Sequence, residues 1–211
     1  LGIIDPVDDI RASNPASNPE LLQALTKDFV ENGFDLKHLI RTIVSSHTYQ
    51  RSFRTNDWNR DDARHYSHAI PRRLTAEQLY DALMIATGAP ENIPGVPAGF
   101  RATQLPDPNI DVSFLDMFGR APRESPCECE RSSQVSLAQT LSLINGPTVS
   151  DAIIHPEGLV ARLSAANVDA PQMIDNVYLS VVCRHPTDEE LKTAEASLGQ
   201  VGNPKEAAQD L

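Results

Sequence analysis

The sequence predicts an all-α fold, a multi-helix bundle interrupted by a long irregular central region. Three observations predict it. Apolar residues recur at 3.6-residue spacing in segment after segment, the ends of those segments carry helix caps and stops, and no apolar/polar alternation of useful length marks a strand. With 211 residues the chain is long enough to bury most of its apolar surface, and 40% hydrophobic with 22% charged residues is ordinary for a globular protein. No apolar run approaches the length of a membrane span.

Residues 1–18 hold two Pro and three Asp and read as an extended lead-in. A first helix follows, with Asn18 as cap, Pro19 at the first helical position, an apolar face of Leu21, Leu22, Leu25, Phe29 and Val30, and Gly33 as stop. Asp35 caps a second helix, whose Leu36, Leu39, Ile40, Ile43 and Val44 carry it to about Tyr49. The short Asn32-Gly33-Phe34 connection makes the pair a helical hairpin. The polar segment 51–68 has no clear period. Thr75 with Gln78 is a capping box that opens a third helix, lined by Leu79, Tyr80, Leu83 and Met84 and ended by Gly88. Residues 89–110 are rich in Pro and Gly and form a long irregular connection, and 112–118 has room for one or two helical turns.

The last third is helical throughout. Residues 136–145 form a short helix closed by Asn145-Gly146-Pro147, and 147–154 and 158–166 form two more. Asp169 caps a longer one with a stripe of Met173, Ile174, Val177, Tyr178, Val181 and Val182, Thr187 with Glu190 is another capping box, and a final helix starts after Asn203-Pro204. The expected organisation is a single helical domain over 1–211, made of a hairpin plus third helix (1–88), an irregular loop with a charged clasp (89–135) and C-terminal helices (136–211).

Charge narrows the partners. The net charge is −11, and residues 132–211 carry 4 Lys+Arg against 10 Asp+Glu, so the surface repels phosphate backbones and nucleic acid is excluded as a partner. Of the 18 basic residues 14 are Arg, nearly all before position 132, which suits fixed bidentate pairs with carboxylates.

Candidate chemistry gathers in 116–145. This stretch sets Arg120, Arg123 and Arg131 among Asp116, Glu124, Glu128 and Glu130, places Cys127 and Cys129 between them, and runs directly into a helix. It is either a structural clasp or a site. Cys127-Glu128-Cys129 supplies two thiols that suit a metal or a disulfide. Zinc needs four ligands, however, and His155, Cys183 and His185 could complete a set only through tertiary contact, so no metal site is assigned. His65 and His68 form H-x-x-H without an acidic partner in a metallohydrolase arrangement, and solvated histidines are the plainer reading. Arg72 and Arg73, close to Glu77 and Asp81 at the start of the third helix, either clamp an anion or tie the helix to nearby carboxylates. Ser132 and Ser133 either bind an anion beside Arg131 or act as caps.

The blocks SNPASNPELLQAL, DFVENGFDLKHLIRTIVSSHTYQRS, PRRLTAEQLYDAL, GRAPRESPCECERSSQVSLAQTLSLINGPTV and VYLSVVCRHPTDEEL together resemble the planctomycete-type domain of unknown function fifteen-fifty-three. The resemblance implies a domain near the C-terminal end of a larger secreted or cell-surface bacterial protein. That protein would carry a companion domain of unknown function and often a cytochrome-c-like domain, and this piece would lack the family's first and last blocks. It implies no catalytic residues. No C-x-x-C-H occurs in the 211 residues, so any haem c would belong to a preceding region.

The expectation that follows is a non-catalytic accessory or interaction domain of an extracytoplasmic, haem-associated protein, periplasmic or at the cell surface and linked to polysaccharide use. Its partners would be companion domains of the same chain and an anionic polysaccharide. The rival expectation is an enzyme or redox module in which Arg72, Arg73, Arg120, Arg123, Glu124 and the Cys127/Cys129 pair line a pocket for an anionic substrate. Arginines saturated by carboxylates favour the clasp, arginines facing an open pocket favour the site, and an exposed apolar patch favours docking on a companion domain.

Overall fold

The computed structural model describes residues 2–5, 7, 9–62, 64–106, 109–124 and 134–200, the last two without their side chains. Nine α-helices and one 3-10 turn occur among them, and no strand, so the fold is all-α. The chain divides into two compact units, 1–73 and 74–211, which places the third helix in the second unit rather than with the hairpin. The helix expected after Asn203-Pro204 lies outside the described residues.

The first unit is built on the hairpin of α1 (Pro19–Glu31) and α2 (Leu36–Val44). The caps are those the sequence names. The Asn18 side chain accepts the Leu21 N–H, and Asp35 accepts those of Lys37 and His38. Gly33 and Phe34 both take positive φ at the turn, where Phe34 meets Phe29 edge-on at 5.5 Å and His38 Nε2 lies 3.0 Å from Asp28 Oδ2, joining the two helices. One expectation is corrected. Helix α2 stops at Val44 instead of Tyr49, because Ser46 turns its hydroxyl onto the Ile43 carbonyl and takes the Tyr49 N–H, replacing helix bonds with turn bonds. The apolar faces are also not fully covered: Leu25, Phe29 and Leu39 are half-buried, whereas Leu21, Leu22, Val30, Ile40, Ile43 and Val44 are exposed.

The second unit is organised around α3 (Ala76–Thr87). Its capping box forms as expected, with Thr75 Oγ1 accepting from Gln78 N–H and Gln78 Oε1 accepting from Thr75 N–H. Gly88 closes it in the left-handed conformation at φ 63, and a Cβ there would stand 2.6 Å from the Arg162 guanidinium, so glycine serves both the turn and the close approach of the Arg162 side chain. The core joins Tyr80 and Met84 of α3 to Ile93, Ala102 and Leu105 of the irregular segment and to Phe114, Leu115 and Phe118 of α4 (Ser113–Met117) and its cap. Three rings run through it: Tyr80 meets Phe114 edge-on at 5.8 Å, and Phe114 stacks on Phe118 at 4.4 Å.

A buried carboxylate fixes the irregular segment to this core. Asp81 Oδ1 accepts the Ala102 N–H at 2.7 Å, while Oδ2 accepts the Thr103 hydroxyl at 2.7 Å and the Thr103 N–H at 3.2 Å. These bonds satisfy the first donors of the 3-10 turn Ala102–Gln104, which would otherwise be orphaned in the core. Asp81 and Glu77 therefore lie buried on the packed face of α3. The sequence had set them at a helix dipole, but their i,i+4 spacing puts both on the side that carries Tyr80 and Met84.

The remaining helices are α5 (Leu137–Asn145), α6 (Pro147–Ile154), α7 (Leu159–Ala165), α8 (Ala170–Val182) and α9 (Asp188–Gln200). Gln139 of α5 is buried and donates from Nε2 to the Met117 carbonyl at 2.9 Å, tying α5 to the end of α4. Of the α8 stripe only Met173 and Ile174 are buried; Val181 and Val182 are exposed, and Ser180 instead reaches the Ala86 carbonyl of α3. At the α8–α9 corner Arg184 Nη1 and Nη2 grip Glu190, which also accepts the Thr187 N–H. Arg184 and then Thr187 hold the Glu190 carboxyl down at about 2.

Two measurements check this frame. Asp81→Ala removes three hydrogen bonds and orphans buried donors, so urea unfolding should show a loss of about 3 kcal/mol, whereas replacing the exposed Asp188 should change stability little. A carboxyl held below its unfolded value stabilises above the ordinary carboxylate range, and that contribution is lost as pH falls through the folded value. Protection of the α8–α9 corner amides, taken relative to their intrinsic exchange rates, should therefore fall as pH drops from the unperturbed 4.5 to about 2, and Glu190→Gln should remove that pH dependence.

Candidate functional site

The charged stretch is the natural place to look for chemistry, and its described part is a clasp. Arg120 lies four residues after Asp116, so the turn at the end of α4 brings both to one side: Nη2 and Nε stand 2.6 and 3.1 Å from Asp116 Oδ1. Nη1 donates to the Ile110 carbonyl at 2.8 Å, and the Arg120 side chain is only 7% exposed. Arg123 takes positive φ, which aims Nη1 back at the Leu105 carbonyl, 2.8 Å away, with the Pro106 carbonyl at 3.5 Å. Both guanidinium groups thus end on main-chain carbonyls of the irregular segment. They staple its far end as Asp81 staples its middle.

Glu124 is exposed at the end of the described part of this stretch. Cys127, Cys129, Arg131, Ser132 and Ser133 lie outside the described residues. Arg72 and Arg73 are exposed in the segment before α3 and belong to the first unit, whereas Arg120 and Arg123 belong to the second. His65 and His68 sit on a loop rather than a helix. The His65 N–H is taken by Asp62 Oδ1, and His68 Nδ1 is buried with no hydrogen-bond partner among the described residues. His155 Nδ1 accepts the Glu157 N–H, His185 Nδ1 lies 2.6 Å from Asp175 Oδ1, and Cys183 is exposed. Among the described residues no group of three or more His, Cys, Asp or Glu side chains converges as a metal site would require.

Two concave surfaces occur elsewhere. In the first unit, Asp57, Trp58, Asp61, Asp62, His65 and Ser67 border an open depression of about 730 Å³. Its rim is stiffened by short bonds: Asn56 Oδ1 accepts the Trp58 and Asn59 N–H groups, Asn59 Oδ1 accepts that of Asn56, and Asp62 takes those of Arg64, His65 and Ser67. The Ser67 contact, followed by these N–H donors, holds the Asp62 carboxyl well below the usual range. Trp58 stands at the tip, 97% exposed.

In the second unit a pocket of about 310 Å³ opens at the end of α3, bordered by Met84, Ile85, Glu91, Gly99 and Arg101. Burial, then the charge of Asp81, pushes the Glu91 carboxyl up against a smaller opposing pull from Arg101. Burial followed by Glu91 and Asp81 raises the Tyr80 phenol. Sequence reasoning did not find this cluster. Its one legible signal was a carboxylate, Asp81, on the apolar face of α3.

A family model described as PSD1, protein of unknown function (DUF1553), matches residues 1–107 and 98–198. No curated protein and no solved structure matches the chain.

The clasp makes an asymmetric prediction. Arg120→Ala removes a nearly buried guanidinium and uncovers both Asp116 and the Ile110 carbonyl, and should cost about 3 kcal/mol. Asp116→Ala should cost less than about 1 kcal/mol, because the Asp116 side chain is 57% exposed and Arg120 keeps its carbonyl. Chemical denaturation of the two variants measures the difference, and equal losses would remove the staple from the account.

Proposed function

Because the chain belongs to the PSD1 family of proteins of unknown function (DUF1553), we propose that it is a non-catalytic accessory domain that docks on companion domains of a larger bacterial protein. The observation that carries this reading is the uncovered stripe of α2. Leu36, Ile40, Ile43 and Val44 repeat at helical spacing, and Leu36 and Ile40 are 63% and 58% exposed. A contiguous apolar helix face rimmed by charge is the kind of surface that another protein segment covers. The clasp supports the same reading from the other side. A substrate pocket built on Arg120 and Arg123 needs guanidinium groups turned toward a ligand, whereas these are held by Asp116 and by the carbonyls of Leu105 and Ile110.

In this proposal the parent protein works outside the cytoplasm, at the periplasm or cell surface, with a c-type haem domain and a role in polysaccharide use. The resemblance in the sequence blocks supports that setting. The 211 residues do not themselves fit a c-type haem, since they contain no C-x-x-C-H, so the haem would be held by another domain of the parent protein. An anionic polysaccharide would likewise meet the assembled protein rather than this strongly acidic chain alone.

The test is hydrogen exchange on the intact protein and on its Ile40→Glu/Ile43→Glu variant. Neither residue is buried in the hairpin, so helix content and unfolding temperature of the isolated chain should be unchanged. In the intact protein, docking should slow α2 amide exchange, and the variant should lose about ten-fold of that protection. Equal protection in both proteins would overturn the docking role.

A further inference from the structure

The pocket at the end of α3 has a chemistry that neither the clasp nor the hairpin uses. We infer that it binds a small apolar zwitterion, an α-amino acid with an aliphatic side chain, whose ammonium group pairs with Glu91 and whose carboxylate pairs with Arg101. The first ground is the state of Glu91. Its Oε2 is sealed from solvent and has no hydrogen-bond partner among the described residues, while the residue as a whole remains part-exposed and lines the pocket wall. A carboxylate with one oxygen sealed and unbonded bears its charge at a cost, and a cation paired with it offsets that cost.

The second ground is Arg101. It borders the same pocket, is exposed, and makes no ion pair among the described residues; its influence reaches Glu91 without a contact between them. Two opposite charges that border one open pocket without closing on each other leave room for a ligand carrying both. The amino and carboxylate groups of an α-amino acid are attached to one carbon, which matches that demand in a small volume. Met84 and the exposed Ile85 supply an apolar surface for the side chain, and about 310 Å³ is at the small end of ligand pockets. A zwitterion has no net charge, so the acidity of the chain does not repel it.

The position of Glu91 is built rather than incidental. Its carbonyl accepts the Gly99 N–H at 3.4 Å, closing the loop from Glu91 to Gly99 just before Arg101, and Gly99 takes φ +79, which an L side chain adopts only with strain. The groups that act on the carboxyl are Asp81 from α3 and Arg101 from the irregular segment, and Tyr80 of α3 feels it in turn. Burial and Asp81 favour the protonated acid, and a bound ammonium favours the carboxylate. Affinity therefore rises as pH is raised from the carboxylate range to neutrality.

Isothermal titration calorimetry on the intact protein tests this with three probes of one skeleton: L-leucine, 3-methylbutylamine and 4-methylpentanoate. Leucine should bind saturably at neutral pH, with each single-charge counterpart about ten-fold weaker. Glu91→Gln and the exposed Arg101→Met should each weaken leucine by about ten-fold without lowering the unfolding temperature. The Glu91→Gln variant should also lose the pH dependence. No saturable heat with leucine, equal binding of the amine alone, or unchanged affinity in the Arg101→Met variant would each overturn the assignment. The docking proposal is read from α2 in the other unit and stands or falls separately.

Discussion

The second unit depends on one buried carboxylate. Residues 89–110 contain too much Pro and Gly to hold themselves by secondary structure, and a long loop without internal ladders remains ordered only if its donors find partners. Asp81 supplies them. It projects from the packed face of α3 and takes the Ala102 and Thr103 donors together, so one side chain converts the middle of the loop into a turn. Ala102 and Leu105 can then pack beneath Tyr80 and Phe114, and the apolar core that results is continuous with α4. Without that anchor the hydrophobic residues of the loop would have no fixed place to bury.

The clasp repeats the same logic at the far end of the loop. Arg120 and Arg123 bring long donors to carbonyls at 105, 106 and 110, where an irregular backbone offers acceptors that no helix or strand uses. Arginine suits this task because its planar fork can hold a carboxylate and a carbonyl at once, as Arg120 does with Asp116 and Ile110. An anionic anchor for donors and cationic anchors for acceptors thus divide the loop between them. That division leaves Glu91 and Arg101, which precede the anchored residues in the chain, available for another purpose.

The local part of this fold was legible in the sequence and the distant part was not. Asn18, Asp35, Thr75 with Gln78, Asp169, and Thr187 with Glu190 announce helix starts because a cap is satisfied within three residues. The Asp116–Arg120 pair is equally local, four residues apart on a helical turn, although the sequence reading named its two residues without pairing them. Asp81 reaches partners 21 and 22 residues away, and no spacing rule connects them. The end of α2 was misplaced because a hydroxyl at Ser46 competes for helix bonds, which periodicity does not register. In the candidate site the arginines were named but not their carbonyl acceptors, because every residue offers the same carbonyl and the choice is made by the fold.

The loop that carries Trp58 gives the protein a built-in optical property. It is the one tryptophan of the chain and stands almost wholly in solvent on a turn stiffened by Asn56 and Asn59. An indole already in water gains little further exposure when the chain unfolds, so its emission is nearly blind to denaturation of either unit. It responds instead to anything that excludes water from its ring. The fluorescence of this protein is therefore a poor thermometer of folding and a clean reporter of contact, dark to the core and sensitive to whatever touches the surface of the first unit.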